Sequence, residues 1–517
     1  MLMLGSKLAQ SPRKLFIIFL VLHFAALAVV ALAVQPNLPL DVIEQLGWSR
    51  DLQWVYFKHP PLPAAILAAL MSLSGFNLAL AALAAPFASI LALILIFCFA
   101  RRLVGEGRAL IAATLCEGVI YYNYTALQFN HDTVQLPLWV GLAWCGHRVL
   151  RDNRGWFWLG LLAGVCLLGK YASVMLFLAI FLAFSLTPEG RARFRNGRGI
   201  GLAVAGFLVL MIPHIYGLWQ INFTPFQFPL QRAEIASDWF NHLVYPLQFL
   251  ASQSLAVAGL ILLSLYFWVK TPSRNPQNNS LGHCQIFADS LAISQSDKIY
   301  ITLIALGPFG LSLLTEGIFG IKFRDMWGVP MFSLLGLMVM VLTAHNQIAK
   351  HRMTYYAASV MGLMLFAATT HAATIIYSPY YRNQGDHMHY PREAMMAIMR
   401  PVWDKETQGK KLSIVVADFW NGGLFAAYDA DHPSVMLEGQ AAKAPWITKQ
   451  RLAEQGALVI WQNGHNGDNP YPDLEAWFGR DNLAAHWVPQ TPLALPYTTK
   501  AKVANVRLGW AILLPMK

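Results

Sequence analysis

Long apolar runs dominate this chain of 517 residues and leave few folds open to it. A helix needs about 20 apolar residues to cross the hydrocarbon core of a bilayer. Hydrophobic residues make up 56% of the sequence and charged residues only 13%, about half the charge of a soluble domain. The pattern predicts a polytopic α-helical membrane protein with about eleven transmembrane helices. The predicted helices cover residues 15–34, 78–100, 109–126, 133–150, 155–169, 171–187, 199–219, 247–269, 299–317, 327–344 and 355–377.

The lysines and arginines collect in every second connection between these helices. If the N-terminus is cytoplasmic, eighteen of them lie in inner connections and six in outer connections before residue 378. Cytoplasmic loops of membrane proteins carry such an excess. The alternation holds only if Lys170 separates two helices rather than interrupting one. The sequence therefore predicts a cytoplasmic N-terminus and an extracytoplasmic C-terminus, and the net charge of +11 indicates topology rather than a nucleic-acid partner.

The last part of the chain, residues 378–517, is polar and of a different kind. Helical and strand patterns alternate there, which predicts a small extracytoplasmic α/β domain following a transmembrane domain at residues 1–377. The predicted elements are a helix at 391–404, a strand at 412–417, a helix at 447–455 and a strand at 457–461. Two further predictions are a helix at the membrane interface over residues 61–75 and a flexible cytoplasmic loop over residues 271–297.

The first outer loop, residues 35–77, carries the most informative polar residues. Asp41 and Glu44 are three positions apart, so a helix would place their carboxylates side by side. The prolines of the corner Lys58-His59-Pro60-Pro61-Leu62 force an extended chain and allow a new helix to begin after them. Trp48 and Trp54 lie between the acids and the corner and offer faces on which a sugar could stack.

Further polar residues fall at the outer ends of the predicted helices. Acids and bases at membrane depth are costly and usually functional, and here they share one side of the membrane. Each alone is also explained by a helix cap, an interfacial turn or a local ion pair. The residues are His131, Asp132, Lys170, Tyr171, His214, Tyr216, Gln231, Arg232, Glu234, Glu316, Lys322, Arg324 and Asp325.

Three other residues leave alternatives open. Glu117 lies within the third predicted helix and is either a satisfied buried acid or part of a cavity. His387 and His389 form an H-x-H pattern, which is more typical of a surface pair than of a metal site.

The order of these motifs resembles the bacterial dolichyl-phosphate-mannose-type glycosyltransferases of family 39, in the C-type superfamily. Relatives include the protein O-mannosyltransferases and the aminoarabinose transferases that modify lipid A. The shared features are the outer-loop acid Asp41, the corner at Lys58, Asp132 at the start of a span, Lys170 between spans and the segment Trp327-Gly328-Val329-Pro330. The resemblance covers roughly the first 330 residues. It implies a sugar donor on polyprenyl phosphate, used at the outer face of the bacterial inner membrane.

The resemblance also implies residue roles. Asp41 matches the general base, Asp132 matches a second catalytic acid, and Lys170 matches a lysine that contacts the donor phosphate. Lys58 and His59 stand where the aminoarabinose transferases have Glu-Lys before Pro-Pro. In relatives, that glutamate can join a metal site. Because this chain has Lys58 there, a bound divalent metal stays an open alternative, and no cofactor is certain.

The chemistry of such a transfer suits the same residue types. A carboxylate removes the proton of the acceptor hydroxyl, and cations stabilise the charge on the departing phosphate. Single displacement predicts inversion at the anomeric carbon. The predicted catalytic residues are Asp41, Asp132 and Glu44; the predicted substrate-binding residues are Lys58, His59, His131, Lys170, Tyr171, Arg232 and Arg324.

Two other classes of function compete with this one. A transporter or flippase of lipid-linked sugars would also need charged groups facing a cavity, but transporters tend to show repeated halves, which this sequence lacks. A membrane scaffold would explain the C-terminal domain but not the first outer loop. The expected partners are the polyprenyl-phosphate-linked sugar, membrane lipids, and an acceptor that is a lipid such as lipid A, a glycan or a protein.

Overall fold

The computed structural model describes residues 11–232, 234–268, 293–344, 346, 350–462 and 471–516. Helices dominate the chain up to residue 382. They are α1 (Pro12–Val29), α2 (Leu40–Ser49), α3 (Leu62–Ser74), α4 (Leu78–Thr114), α5 (Gln135–Asp152), α6 (Trp156–Gly169), α7 (Val174–Leu186), α8 (Pro188–Arg193), α9 (Gly197–Gln220), α10 (Thr224–Arg232), α11 (Asn241–Ala256), α12 (Ala258–Trp268), α13 (Gln295–Phe319), α14 (Leu335–Leu342) and α15 (Lys350–Arg382).

Among the described residues, five helical stretches are long and apolar enough to cross a membrane, or seven if two bent pairs each count as one span. The bent pairs are α11 with α12, at 61°, and the 3-10 segment Asp325–Phe332 with α14, at 45°. The chain is therefore a multi-helix membrane protein. The number of eleven crossings stays a prediction, although a helix occupies nearly every predicted window.

The third predicted helix, residues 109–126, is wrong as a continuous span. Helix α4 runs through the whole of the second window and the start of the third, kinks at Gly105 (φ 77°) and ends at Thr114. Two 3-10 turns follow, at Leu115–Gly118 and Ile120–Tyr122. The backbone is tightly enclosed there, because a Cβ on Gly118 would lie 2.1 Å from the backbone nitrogen of Leu260. The close contact of Gly118 with the start of α12 thus stands where the sequence predicted a continuous helix.

Several local predictions are confirmed. Helix α2 places Asp41 and Glu44 on one helix, and α3 ends at Gly75, whose left-handed backbone (φ 64°) is a common helix end. The predicted loop at residues 271–297 lies mostly outside the described residues. Its last residues are not loop, because Ser294 and Asp297 cap each other at the start of α13.

Within the described residues, the C-terminal part is a mixed α/β domain with a six-stranded sheet. The strands are β1 (Ile414–Ala417), β2 (Ser434–Leu437), β3 (Ala457–Gln462), β4 (Trp487–Pro489), β5 (Leu493–Leu495) and β6 (Val506–Leu513). Their order is β2-β1-β3-β6-β4, with β5 also paired to β6. Strand β1 pairs parallel with β2 and β3, whereas β6 runs antiparallel to its neighbours. The domain helices are α16 (Arg392–Glu406), α17 (Phe419–Tyr428), α18 (Lys449–Gln455), α19 (Pro472–Phe478) and α20 (Arg480–His486).

This domain packs directly on the first outer loop. Helix α17 crosses α2 so closely that a Cβ on Gly423 would lie 2.5 Å from Cγ2 of Ile43. The Asn37 side chain donates to the carbonyl of Tyr390 at 3.1 Å, and Arg451 lies 3.5 Å from Asp51. Helix α2, which carries the first acids, is therefore held by the C-terminal domain.

Candidate active site

Asp41 and Asp132 meet through the side chain of Asn130. Its amide nitrogen donates to Oδ2 of Asp41 at 2.8 Å, and its amide oxygen accepts from the backbone nitrogen of Asp132 at 2.9 Å. Asp41 comes from the first turn of α2, and Asp132 from the turns before α5. The structure thus brings together two carboxylates that are 91 positions apart in the sequence.

Asp132 is buried and forms an ion pair with Lys170. Burial raises the pKa of Asp132 above its ordinary value, the charge of Lys170 opposes that rise, and the charge of Asp41 adds to it. The Lys170 ammonium also lies 5.6 Å from the ring centre of Trp327. The pair therefore combines a carboxyl group whose pKa is raised by burial with a cation close to the same opening.

Lys58 and Glu44 form a second, nearly buried ion pair, with Nζ 2.6 Å from Oε1. The Lys58 ammonium lies 4.2 Å from the ring centre of Phe419 and 5.5 Å from that of Phe228. Phe419 belongs to the C-terminal domain, so that domain forms part of this site. Glu44 is engaged by Lys58, and its catalytic role stays a prediction.

The two histidines of the site, His59 and His131, contact each other with ring centres 4.1 Å apart and ring planes tilted by 33°. His131 Nε2 lies 3.1 Å from the carbonyl oxygen of Pro60, to which it donates. Burial lowers the pKa of His131 to about 3, and the charges of Lys170 and Lys58 contribute to this. His131 is therefore neutral at physiological pH, and its Nδ1 can only accept a hydrogen bond.

Tyr171 belongs to a polar row beside Lys170. His214 Nδ1 donates to the carbonyl oxygen of Trp54 at 2.7 Å, which leaves Nε2 as the acceptor. The Tyr171 hydroxyl lies 3.2 Å from that Nε2 and donates to it. The hydroxyl proton of Tyr171 is therefore engaged, and its ring and oxygen lone pairs are left for other contacts.

The two predicted arginines differ. Arg324 is exposed, and within the described part of the chain it has no ion pair. Its carbonyl accepts from the backbone nitrogen of Trp327 at 2.9 Å, so it lies one turn from the ring beside Lys170. Arg232 ends α10, and its side chain lies outside the described residues. Earlier in α10, Phe226 packs on Tyr171.

The residues present do not fit a divalent metal centre. The described ranges contain no group of three or more His, Cys, Asp or Glu side chains placed to hold a metal ion. Glu44 is paired with Lys58, and Nε2 of His131 is used by Pro60. Of the H-x-H pair, His389 bonds Asp386 at 2.8 Å. At the predicted catalytic corner, the positive charge comes from lysine.

A cavity of about 320 Å³ opens on Asp132. Its walls are largely apolar and include Leu255, which is 79% exposed on the outer surface of α11. Tyr121 donates to Gln253 at 2.7 Å beside it, and burial raises the pKa of that tyrosine to about 12. A polar group held at Asp132 can thus continue into an apolar tail.

Some residues of this site had little or no signal in the sequence. Asn130 precedes Asp132 by two positions, a spacing typical of a side chain that caps a turn. Phe419 had no signal in the sequence. It follows a strand of the distant C-terminal domain and reaches Lys58 only through tertiary packing. Glu117 proves to be a satisfied buried acid, paired with His23.

Comparisons with known proteins find a family match over part of the chain and a similar fold over nearly all of it. Residues 58–217, which carry the Lys58 corner, Asp132 and Lys170, match the family described as dolichyl-phosphate-mannose-protein mannosyltransferase. No curated protein sequence matches the chain.

The fold is similar to that of ArnT from Cupriavidus metallidurans in the apo state, with 13% identity, a TM-score of 0.58, and 98% of this chain and 99% of that chain covered. The structure of the same protein bound to undecaprenyl phosphate gives 13% identity, a TM-score of 0.57, and coverages of 96% and 97%. The resemblance inferred from the sequence is confirmed.

Proposed function

We propose that this chain is an inverting glycosyltransferase that moves a sugar from a polyprenyl-phosphate carrier to an envelope acceptor. The observation that carries the proposal is the Asn130 bridge, which ties the Asp41 carboxylate to the backbone of Asp132, whose own carboxylate pairs with Lys170 beside an apolar cavity. In this proposal the N-terminus is cytoplasmic, about eleven helices cross the bacterial inner membrane, and the C-terminal domain, residues 378–517, is periplasmic.

The donor is held by cations and by the apolar cavity. Lys58, Lys170 and the exposed Arg324 supply positive charge for a phosphate, and such charge-assisted hydrogen bonds are about twice as strong as neutral ones. The cavity beside Asp132 takes the first isoprenoid units. The similar ArnT structure that contains undecaprenyl phosphate supports this class of donor.

Asp41 acts as the base. It is half-buried, and its hydrogen-bond partner among the described residues is the neutral amide of Asn130, so one carboxylate oxygen stays available for a proton. The acceptor oxygen attacks the anomeric carbon while its proton passes to Asp41, and the bond to the phosphate breaks with its electron pair on the departing phosphate. Asp132 holds Lys170, which stabilises that phosphate. One displacement inverts the anomeric centre.

The direct test uses the full chain in lipid nanodiscs. Undecaprenyl-phosphate-linked aminoarabinose, galacturonic acid, mannose and glucose are each incubated with extracted envelope acceptors, and products are measured by mass spectrometry. We expect transfer from at least one donor, and a loss of about 10²–10⁴-fold in Asp41→Asn, the range for removing a general base. Glu393→Gln is the matched control, because that side chain is an exposed acid, 87% exposed, in the C-terminal domain.

Two results would overturn the proposal. One is transfer by Asp41→Asn at the wild-type rate. The other is movement of intact lipid-linked sugar across the bilayer without transfer, which is the behaviour of a flippase.

A further inference from the structure

A second cavity, of about 780 Å³, lies between the outer end of α9, the first outer loop and the C-terminal domain. Three separate parts of the chain line it. The residues on which the argument rests are Gln53, Trp54, Tyr216, Trp219, Gln220 and Trp446.

The lining has the chemistry of a carbohydrate site. Trp219, Tyr216 and Trp54 are 66%, 58% and 48% exposed, so their ring faces are open to a ligand. Amide side chains beside them both donate and accept hydrogen bonds, as sugar hydroxyls require. None of the residues lining the cavity is Asp, Glu, Lys, Arg or His. A phosphate or carboxylate would be expected to meet Arg or Lys, so the lining favours a neutral ligand.

Aromatic residues at a membrane interface also serve as anchors, and this explains Tyr216 and Trp219 at the end of a spanning helix. It does not explain why Gln53, from the first outer loop, and Trp446, from the C-terminal domain, complete the same concave surface. The residues of this surface are also closely packed, because a Cβ on Gly217 would lie 3.0 Å from Cγ1 of Val55.

The cavity adjoins the candidate active site. Trp54 lines it, and the carbonyl of Trp54 accepts from His214, which in turn accepts from Tyr171. Tyr171 directly follows Lys170 in the chain. A row of hydrogen-bonded groups therefore connects the wall of the cavity to Tyr171, the residue that follows Lys170.

We infer that this cavity binds neutral saccharide units of the acceptor, so that the acceptor is a glycan or the uncharged glycan part of a glycolipid. The inference rests on the proposed function. It distinguishes this acceptor from a phosphorylated lipid headgroup and from an acidic peptide.

The test measures equilibrium binding without any donor. The full chain in nanodiscs is applied to an array of neutral oligosaccharides of two to six hexose units and to their phosphorylated counterparts. We expect binding to a neutral series, weakened about tenfold in Trp219→Ala and in Trp446→Ala, as for a central aromatic contact. Trp239→Ala is the matched control, because that tryptophan is 74% exposed and does not line the cavity. If either variant has a lowered melting temperature, Gln220→Ala replaces it.

The inference is overturned if no neutral oligosaccharide binds, if phosphorylated ones bind more tightly, or if Trp219→Ala and Trp446→Ala bind like the wild type. Asp41→Asn should bind the saccharide as well as the wild type does. Saccharide binding without transfer from any donor would refute the glycosyltransferase and leave the cavity assignment standing. Transfer without saccharide binding would refute only the cavity assignment.

Discussion

Two of the carboxylates that the described residues bury against basic side chains are Glu117, paired with His23, and Asp132, paired with Lys170. Both members of the first pair are 1% exposed. The second ring nitrogen of His23 is 3.1 Å from the hydroxyl of Ser89, and the Asn123 amide donates to the second carboxylate oxygen of Glu117 at 3.4 Å. The polar atoms of the first pair thus find partners within the protein.

The second pair differs from the first because it is open to a cavity. Asp132 lines a cavity, and a second carboxylate, Asp41, is held beside it by Asn130. The comparison shows that burial of a charge does not by itself mark a site. A buried pair whose hydrogen bonds are complete stabilises the bundle, whereas a pair that faces an opening and a second acid can bind and react.

The largest effect is expected from replacing the acid of each pair by its amide. Asp132→Asn should lower transfer by about 10²-fold or more, because Lys170 loses the charge that positions it and the site loses an acid. Glu117→Gln should lower stability by about 1–3 kcal/mol, the cost of an unsatisfied buried partner, with transfer per folded molecule unchanged. Thermal unfolding and transfer are measured on both variants. If Glu117→Gln abolishes transfer while remaining folded, the distinction between the two pairs is wrong.

A nearly buried lysine ion pair and an exposed one should differ in their effect on the KM for the donor. Lys58 pairs with Glu44 under the ring of Phe419, whereas Lys322 pairs with Glu234 at 2.8 Å in an exposed position. Lys58→Met should raise the KM for the lipid-linked donor about 10–100-fold, since hydrogen bonds to charged groups contribute about 1.5–3 kcal/mol.

Lys322→Met is the control and should change the same KM less than about fivefold, because exposed pairs contribute about 0–1 kcal/mol. An equal effect of both variants would mean that Lys58 acts through general electrostatics and not through the donor phosphate. Lys58→Arg should restore part of the binding if the positive charge is what the phosphate needs.

The sequence predicted most of what depends on local patterns. Apolar length placed the helices, and the outer-loop acids with Lys58 and Lys170 were singled out from their position alone. What it missed depends on tertiary contact. The break after Thr114 arises where Gly118 meets the start of α12, and the pairing of Glu44 with Lys58 joins a helix to a corner 14 positions later.

The C-terminal domain shows the same limit. Its parallel strands β1 and β3 were predicted, since buried apolar runs of four to six residues stand out. Strands β4 and β5 have three residues each, too few for a pattern to appear. The contact of Phe419 with the Lys58 ammonium is likewise a product of how α17 docks on α2, which no periodicity encodes.

The smallest expected effect is a shift of pH dependence, and it also follows from the contrast between the two pairs. Burial raises the pKa of Asp132, Asp41 raises it further and Lys170 lowers it. Transfer that needs ionised Asp132 therefore falls as the pH decreases through this raised value. Lys170→Gln removes the lowering influence, so the acid limb of kcat/KM should move to higher pH in the remaining activity, while Lys322→Gln should leave it in place.

The same shift has a consequence for stability. A carboxyl group whose pKa is higher in the folded state than in the unfolded state binds its proton more tightly when folded. Its contribution to stability is therefore present at low pH and lost as the pH rises through the ordinary carboxyl range and the raised value. Asp132→Asn should then lose activity without losing stability at neutral pH, the reverse of Glu117→Gln. An acid limb that stays fixed or moves to lower pH in Lys170→Gln would show that Lys170 does not control the ionisation of Asp132.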